Sequence, residues 1–146
     1  MNAKQVIVMR KDLNMRKGKM IAQGAHAAMA ALLKEMSVDD RINHDPSRVW
    51  VLHASTIRDP LYFWLDGPFT KITVGVNSED ELFDIYQQAL AVEGSFSNTI
   101  RMKMPCAIIQ DAGKTEFHGK PTYTCAAIGP WWVDEIDAIT GKLPLL

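Results

Sequence analysis

The earliest pattern along the chain is that of a strand. Val6, Ile7, Val8 and Met9 follow Gln5 without interruption, and a short β-branched apolar run of this kind predicts a buried strand. A charged stretch separates it from a segment rich in Ala, Met and Leu and free of Pro. That segment, Lys19 to about Met36, predicts a helix of roughly 18 residues. At about 100° per residue, Ile21, Ala25, Ala28, Met29, Leu32 and Met36 share a broad arc expected to face the core, while Lys19, Gln23 and His26 gather within about 60° on another side. Its many small residues, Gly24, Ala27, Ala28 and Ala31 among them, permit close approach to a sheet. From 37 to 68, polar residues (Asp39, Asp40, Asn43, Asp45, Pro46) mix with apolar patches at Val49–Leu52 and Tyr62–Trp64. The expectation there is a loop, a short element and a turn at Asp66, Gly67 and Pro68.

Phe69 to Val76 returns to a strand pattern, with Ile72, Val74 and Val76 alternating with Lys71, Thr73 and Gly75. Ser78 and Glu81 form a capping box, with Glu79 and Asp80 in the first turn, ahead of a helix through Leu82, Ile85 and Leu90 that ends near Gly94. Ala107 to Gln110 reads as a third strand, 111 to 120 as a loop and Thr122 to Ile128 as a fourth strand. Pro130 is placed to open a last helix that Gly141 closes. This order is that of an α/β protein: one domain over residues 1–146, with a mixed four-stranded sheet flanked by helices.

The charges balance at 16 basic against 17 acidic residues, so the chain is no bulk polycation, but their distribution is uneven. Lys4, Arg10, Lys11, Arg16, Lys17 and Lys19 crowd the start against Asp12 alone, and Glu79, Asp80, Glu81, Asp84 and Glu93 occupy a stretch without a base. One face is therefore expected to attract a polyanion, although either run taken alone is usually a solvated surface. No apolar stretch has the length of a membrane span or a secretory signal. Cys106 and Cys125, each within a strand pattern and lacking Cys or His at ligand spacing, read as reduced core thiols of a cytoplasmic protein.

Polar groups concentrate where strands turn. Lys17-Gly18-Lys19 with Gln23 and His26 offers a helix N-terminus and a cation for an anion, but it is not a phosphate-binding P-loop, which needs a Gly where Leu13 stands. Asp111, Ala112, Gly113 and Thr115 leave the third strand, where Asp is commonly a turn former. Thr122 and Thr124 share a strand face, as good strand formers also do. The candidate site pairs Lys19 with Asp111 among amide and hydroxyl donors. His26, His44, His53 and His118 have no ligand spacing, and no Ser-His-Asp or Cys-His set is present.

In their order these motifs resemble the second family of peptidyl-tRNA hydrolases, the archaeal and eukaryotic type, and its bacterial and phage members look nearest. The resemblance rests on Lys4 to Leu13, Lys17-Gly18-Lys19 with Ala22-Gln23 and His26-Ala27, and Gln110-Asp111-Ala112-Gly113 with Thr115. It continues through Thr124, Ile128-Gly129-Pro130, Ile136-Asp137 and Ile139-Thr140-Gly141. The chain departs from it in longer segments after the first helix and between Gly94 and Pro105, and in an extra residue between Thr115 and Thr124. The resemblance implies hydrolysis of the ester joining a peptide to tRNA, with Lys19, Gln23, Asp111, Thr115 and Thr124 as catalytic residues and Arg16, Lys17, Gly18 and His26 on tRNA. It implies peptidyl-tRNA as partner, no membrane, no metal and no cofactor, and it leaves a homodimer open. The alternative is a non-catalytic module that binds tRNA or phosphate and has no need of Lys19 and Asp111 together.

Overall fold

The computed structural model describes residues 2–39, 49–55, 58–95 and 101–146; Asp40, Asn43, Asp45 and Pro46 of the expected loop, and His44, lie outside them. In chain order the elements are β1 (Ala3–Arg10), α1 (Lys17–Leu33), β2 (Met36–Asp39), β3 (Val49–Leu52), α2 (Pro60–Leu65), β4 (Lys71–Val76), α3 (Glu79–Leu90), β5 (Glu93–Ser95), β6 (Arg101–Lys103), β7 (Cys106–Asp111), β8 (Thr122–Trp132) and α4 (Val133–Thr140). The main sheet is four-stranded in the order β4-β1-β8-β7. β4 is parallel to β1, whereas β8 is antiparallel to both β1 and β7, so the sheet is mixed as expected.

A strand covered on both faces needs apolar residues at every position, which is why β1 shows an unbroken run. Val6 and Val8 pack with Leu82, Ile85 and Ala89 of α3 and Ile136 of α4. Ile7 and Met9 meet Ala27, Ala28 and Ala31 of α1 on the opposite face. The cap of α3 differs slightly from a closed box: Ser78 Oγ accepts the Glu81 N–H at 3.1 Å, but the Glu81 carboxylate accepts from the Asn77 N–H at 2.7 Å, one residue earlier. Cys106 and Cys125 are free, buried thiols, and burial pushes the Cys125 thiol up to about 11. No helix among the described residues is long and apolar enough to cross a membrane.

Three expectations are corrected. Helix α1 runs from Lys17 to Leu33, and it buries Gln23, Gly24, Ala27, Ala28 and Ala31; of the expected arc, Ala28 is buried and Leu32 partly buried, while Ile21, Ala25 and Met29 turn away. Ile21 is 74% exposed and Met29 54%, Ala25 is exposed, and Met36 belongs to β2. Small residues win because they allow a shorter distance to the sheet: a Cβ added at Gly24 would lie 3.7 Å from two carbons of Ile7. Second, Pro130 does not open a helix. β8 continues to Trp132, and Pro130 falls where the pairing with β1 shifts register between Lys4 and Val6, a place in the ladder where its missing N–H is tolerated. Third, the irregular regions contain hairpins, β2 with β3 and β5 with β6, which their short lengths had hidden. At the free edge of β4, Gly75 N–H donates to the Pro144 carbonyl and Leu146 N–H to the Thr73 carbonyl, at 2.9 and 3.1 Å.

The packing of α1 is open to measurement. Ala27→Leu, at a fully buried position, should lower the unfolding free energy by about 1–3 kcal/mol in urea titration, whereas Ile21→Ala should stay within about 0.5 kcal/mol of the wild type.

Candidate active site

The start of α1 and the end of β7 meet at one end of the sheet. β7 delivers Asp111 to a turn whose hinge is Gly113, at φ +76°, where an added Cβ would collide with the Lys120 carbonyl. The Gly113 N–H donates to Asp111 Oδ1 at 2.8 Å, so the turn also holds the carboxylate. From α1, Lys19 Nζ donates to Asp111 Oδ2 at 2.5 Å and to Thr115 Oγ1 at 3.1 Å. Gln23, one helical turn further, donates from Nε2 to the same Oδ2 at 3.0 Å.

Behind them, the Thr124 hydroxyl donates to Gln23 Oε1 at 2.6 Å. This bond orients the amide, with its oxygen toward Thr124 and its NH₂ toward Asp111. Thr124 reaches this place through an irregularity. Ala126 and Ile128 of β8 pack on the α3 side, and strict alternation would send Thr124 there too. The pairing of β7 with β8 shifts between Ile109 and Gln110, which leaves Thr124 as the extra residue of a bulge and turns it to α1. Thr122 instead bonds the Lys120 carbonyl through its Oγ1 and takes no part.

The Lys19 and Asp111 side chains retain only 14% and 13% of their exposure. The Lys19 hydrogen bond, more than any other influence, holds the Asp111 carboxyl below the usual carboxylate range; burial opposes it, and the bonds from Gly113 and Gln23 add to it. Both carboxylate oxygens are thus engaged, Oδ1 by one donor and Oδ2 by two. Lys19 has three N–H donors and, among the described residues, the two acceptors Asp111 and Thr115, which leaves one donor for an incoming group.

Lys19, Gln23, Asp111 and Thr115 border an open concavity of about 560 Å³, together with Arg16, Gly18, Ala22, His26 and Glu116. The structure therefore gathers most of the residues that the sequence singled out. Lys17 is the exception, since it borders a separate groove with Ile7, Met9, Met20 and Ile21. The basic opening segment also divides. Lys4 is tied to Asp137 at 2.5 Å and Arg10 to Asp12, Glu79 and the Tyr123 carbonyl, so both are internally neutralised. Glu116, which accepts from Arg16 Nε at 2.9 Å, was not anticipated; a pair separated by 100 positions has no local signature. Among the described residues, no group of three or more His, Cys, Asp or Glu comes together as a metal site needs.

Residues 3–146 match the family model described as "Peptidyl-tRNA hydrolase PTH2". Over 146 residues the chain is 42% identical to a peptidyl-tRNA hydrolase of Sulfurisphaera tokodaii, covering 100% of both chains. It is 40% identical over 143 residues to one of Methanocaldococcus jannaschii, covering 98% of this chain and 99% of that one. A peptidyl-tRNA hydrolase of Sulfolobus acidocaldarius is 36% identical over 143 residues, at the same coverage.

Two outcomes test this geometry. Thr124→Val leaves the buried Gln23 oxygen without its donor and should reduce the unfolding free energy by about 1–3 kcal/mol. Asp111 has a folded-state pKa below its unfolded value of about 3.9, so its ionised form stabilises the fold at neutral pH, and this contribution disappears as the pH falls through the folded value. The difference in unfolding free energy between the wild type and Asp111→Asn should accordingly shrink on acidification below about pH 4; a constant difference would refute it.

Proposed function

The chain belongs to the peptidyl-tRNA hydrolase family PTH2, and on this basis we propose that it hydrolyses the ester between a peptide, or an N-blocked amino acid, and the terminal ribose of tRNA. Water adds to the ester carbonyl, the bond from the carbonyl carbon to the ribose oxygen breaks, and that oxygen takes a proton. The products are a free peptide acid and tRNA. The observation that carries this reading is the ammonium of Lys19, held by Asp111 beside Thr115 at the edge of an open concavity.

Negative charge grows on the carbonyl oxygen during the attack. The remaining Lys19 N–H and the Thr115 hydroxyl are the donors for it, in a setting prearranged by Asp111. Asp111 orients the attacking water or takes its proton. Its depressed pKa makes it a weak acceptor at neutral pH, which favours the orienting role. Gln23 and Thr124 are 2% and 0% exposed, so they act through Asp111 as positioning residues. Arg16, Gly18 and His26 lie beside the concavity as contacts for the acceptor end of tRNA, and Lys17 adds charge on the next face of α1. No metal or cofactor enters this scheme.

The same reading takes residues 1–146 as one domain, the cytoplasm as its compartment and peptidyl-tRNA as its partner. It accommodates a homodimer, for which exposed Ile21, Met29 and Leu33 supply apolar surface. A binding module without catalysis would have no use for a carboxylate set against the lysine that meets the substrate.

The test is peptide release from purified N-blocked aminoacyl-tRNA with no metal or cofactor added. The wild type should turn over. Lys19→Ala and Asp111→Asn should each lower turnover by about 10²-fold or more, with Asp111→Asn still folded and still binding tRNA, and the double substitution should lose much less than the combined effects. Full activity in either single variant overturns the assignment.

A further inference from the structure

Arg16 and Glu116 face each other across the mouth of the concavity, and the proposed reaction leaves Glu116 without a role. Arg16 is the residue before α1, where its side chain caps nothing. Its Nε donates to Glu116 Oε1 at 2.9 Å, and its Nη1 and Nη2 have no partner among the described residues. The two partners sit in different surroundings. The Arg16 side chain is 77% exposed, that of Glu116 15%, so the carboxylate is embedded in the loop while the guanidinium projects over the opening. A single-donor pair with one exposed member is weak. A phosphate, which can accept two parallel N–H bonds from the guanidinium fork, is the stronger acceptor.

We propose that Glu116 is a built-in substitute for a tRNA phosphate. In the free protein its carboxylate occupies Arg16; when tRNA arrives, Arg16 transfers to a phosphate oxygen, and Glu116 takes up a cation from solution. After hydrolysis, Glu116 recaptures Arg16 and helps the deacylated tRNA to leave. The inference rests on the peptidyl-tRNA reading and deepens it, because it concerns how that site takes and releases tRNA. Glu116 is here a positioning residue that acts through Arg16. The exchange sets one cation bound at Glu116 against the cations shed by the phosphate, so the wild type should show a shallower salt dependence than its phosphate contacts alone imply.

The experiment measures binding of deacylated tRNA to the full chain over a salt series, in the wild type, Glu116→Gln and Glu116→Asp, each also combined with Arg16→Gln, with thermal melting to confirm folding. Glu116→Gln should bind roughly threefold to tenfold more tightly, with a steeper salt slope. Glu116→Asp keeps the charge but withdraws it by one methylene from Arg16, and it should move in the same direction. Both gains should vanish in the Arg16→Gln background, and in peptide release the effect of Glu116→Gln should fall on KM rather than on kcat. A gain that persists undiminished without Arg16 makes Glu116 a plain repulsive charge and overturns the proposal. Weaker binding by folded Glu116→Gln, or a lower melting temperature accompanied by lost binding, makes the pair a structural clip and overturns it equally. A wild type that binds no tRNA defeats the peptidyl-tRNA reading along with this inference, whereas wild-type binding that no Glu116 variant alters defeats this inference alone.

Discussion

Helix α1 can lie as close to the sheet as it does only because Gly24, Ala27, Ala28 and Ala31 present almost no side chain to β1, β7 and β8. That short distance governs the active end of the molecule. It brings Gln23 far enough into the interior to accept from Thr124 and donate to Asp111 together, and it sets Lys19, a turn nearer the helix start, against the same carboxylate. Larger residues on this face would lift the helix and separate all of these contacts at once, since interiors packed at crystal density do not stretch to compensate.

The electrostatic arrangement follows from that packing. An ion pair withdrawn from water gains little net stability by itself, because desolvation offsets attraction. Asp111 is nonetheless kept ionised, since donors from three directions, Lys19, Gln23 and the Gly113 amide, surround its oxygens. A carboxylate so encircled is better suited to fixing a neighbour than to receiving a proton. Its neighbour Lys19 becomes a cation with a defined position, whereas an exposed lysine samples many rotamers.

The sheet and its flanking helices were legible in the sequence from strong local signals, a buried apolar run and a capping serine. The full grouping of Lys19, Gln23, Asp111, Thr115 and Thr124 was legible only through the order of motifs that carries the family resemblance, since each of those residues taken alone reads as ordinary turn, strand or surface. The buried face of α1 was misread because Ile21 and Met29 outweigh Gly24 and Ala27 in any count of apolarity, although the smaller residues decide how near the helix comes. Pro130 had a helix-opening signature, but the register shift opposite it exists only once β1 and β8 have paired. The bulge that turns Thr124 inward and the reach of Arg16 to Glu116 likewise depend on partners far away in the chain, and no window of neighbouring residues encodes them.

Residues Pro144 to Leu146 bear on how this protein behaves in a crowded solution. An edge strand with unpaired amides and carbonyls is a template on which another chain can add a strand, and β4, with Ile72, Val74 and Val76, has the β-branched character that favours such addition. The short segment bonded to Thr73 and Gly75 and bridged at Val74 already fills those positions in the antiparallel sense. It acts as a stopper on sheet growth, so the colloidal solubility of the folded chain depends at this edge on three residues that lie outside every named helix and strand.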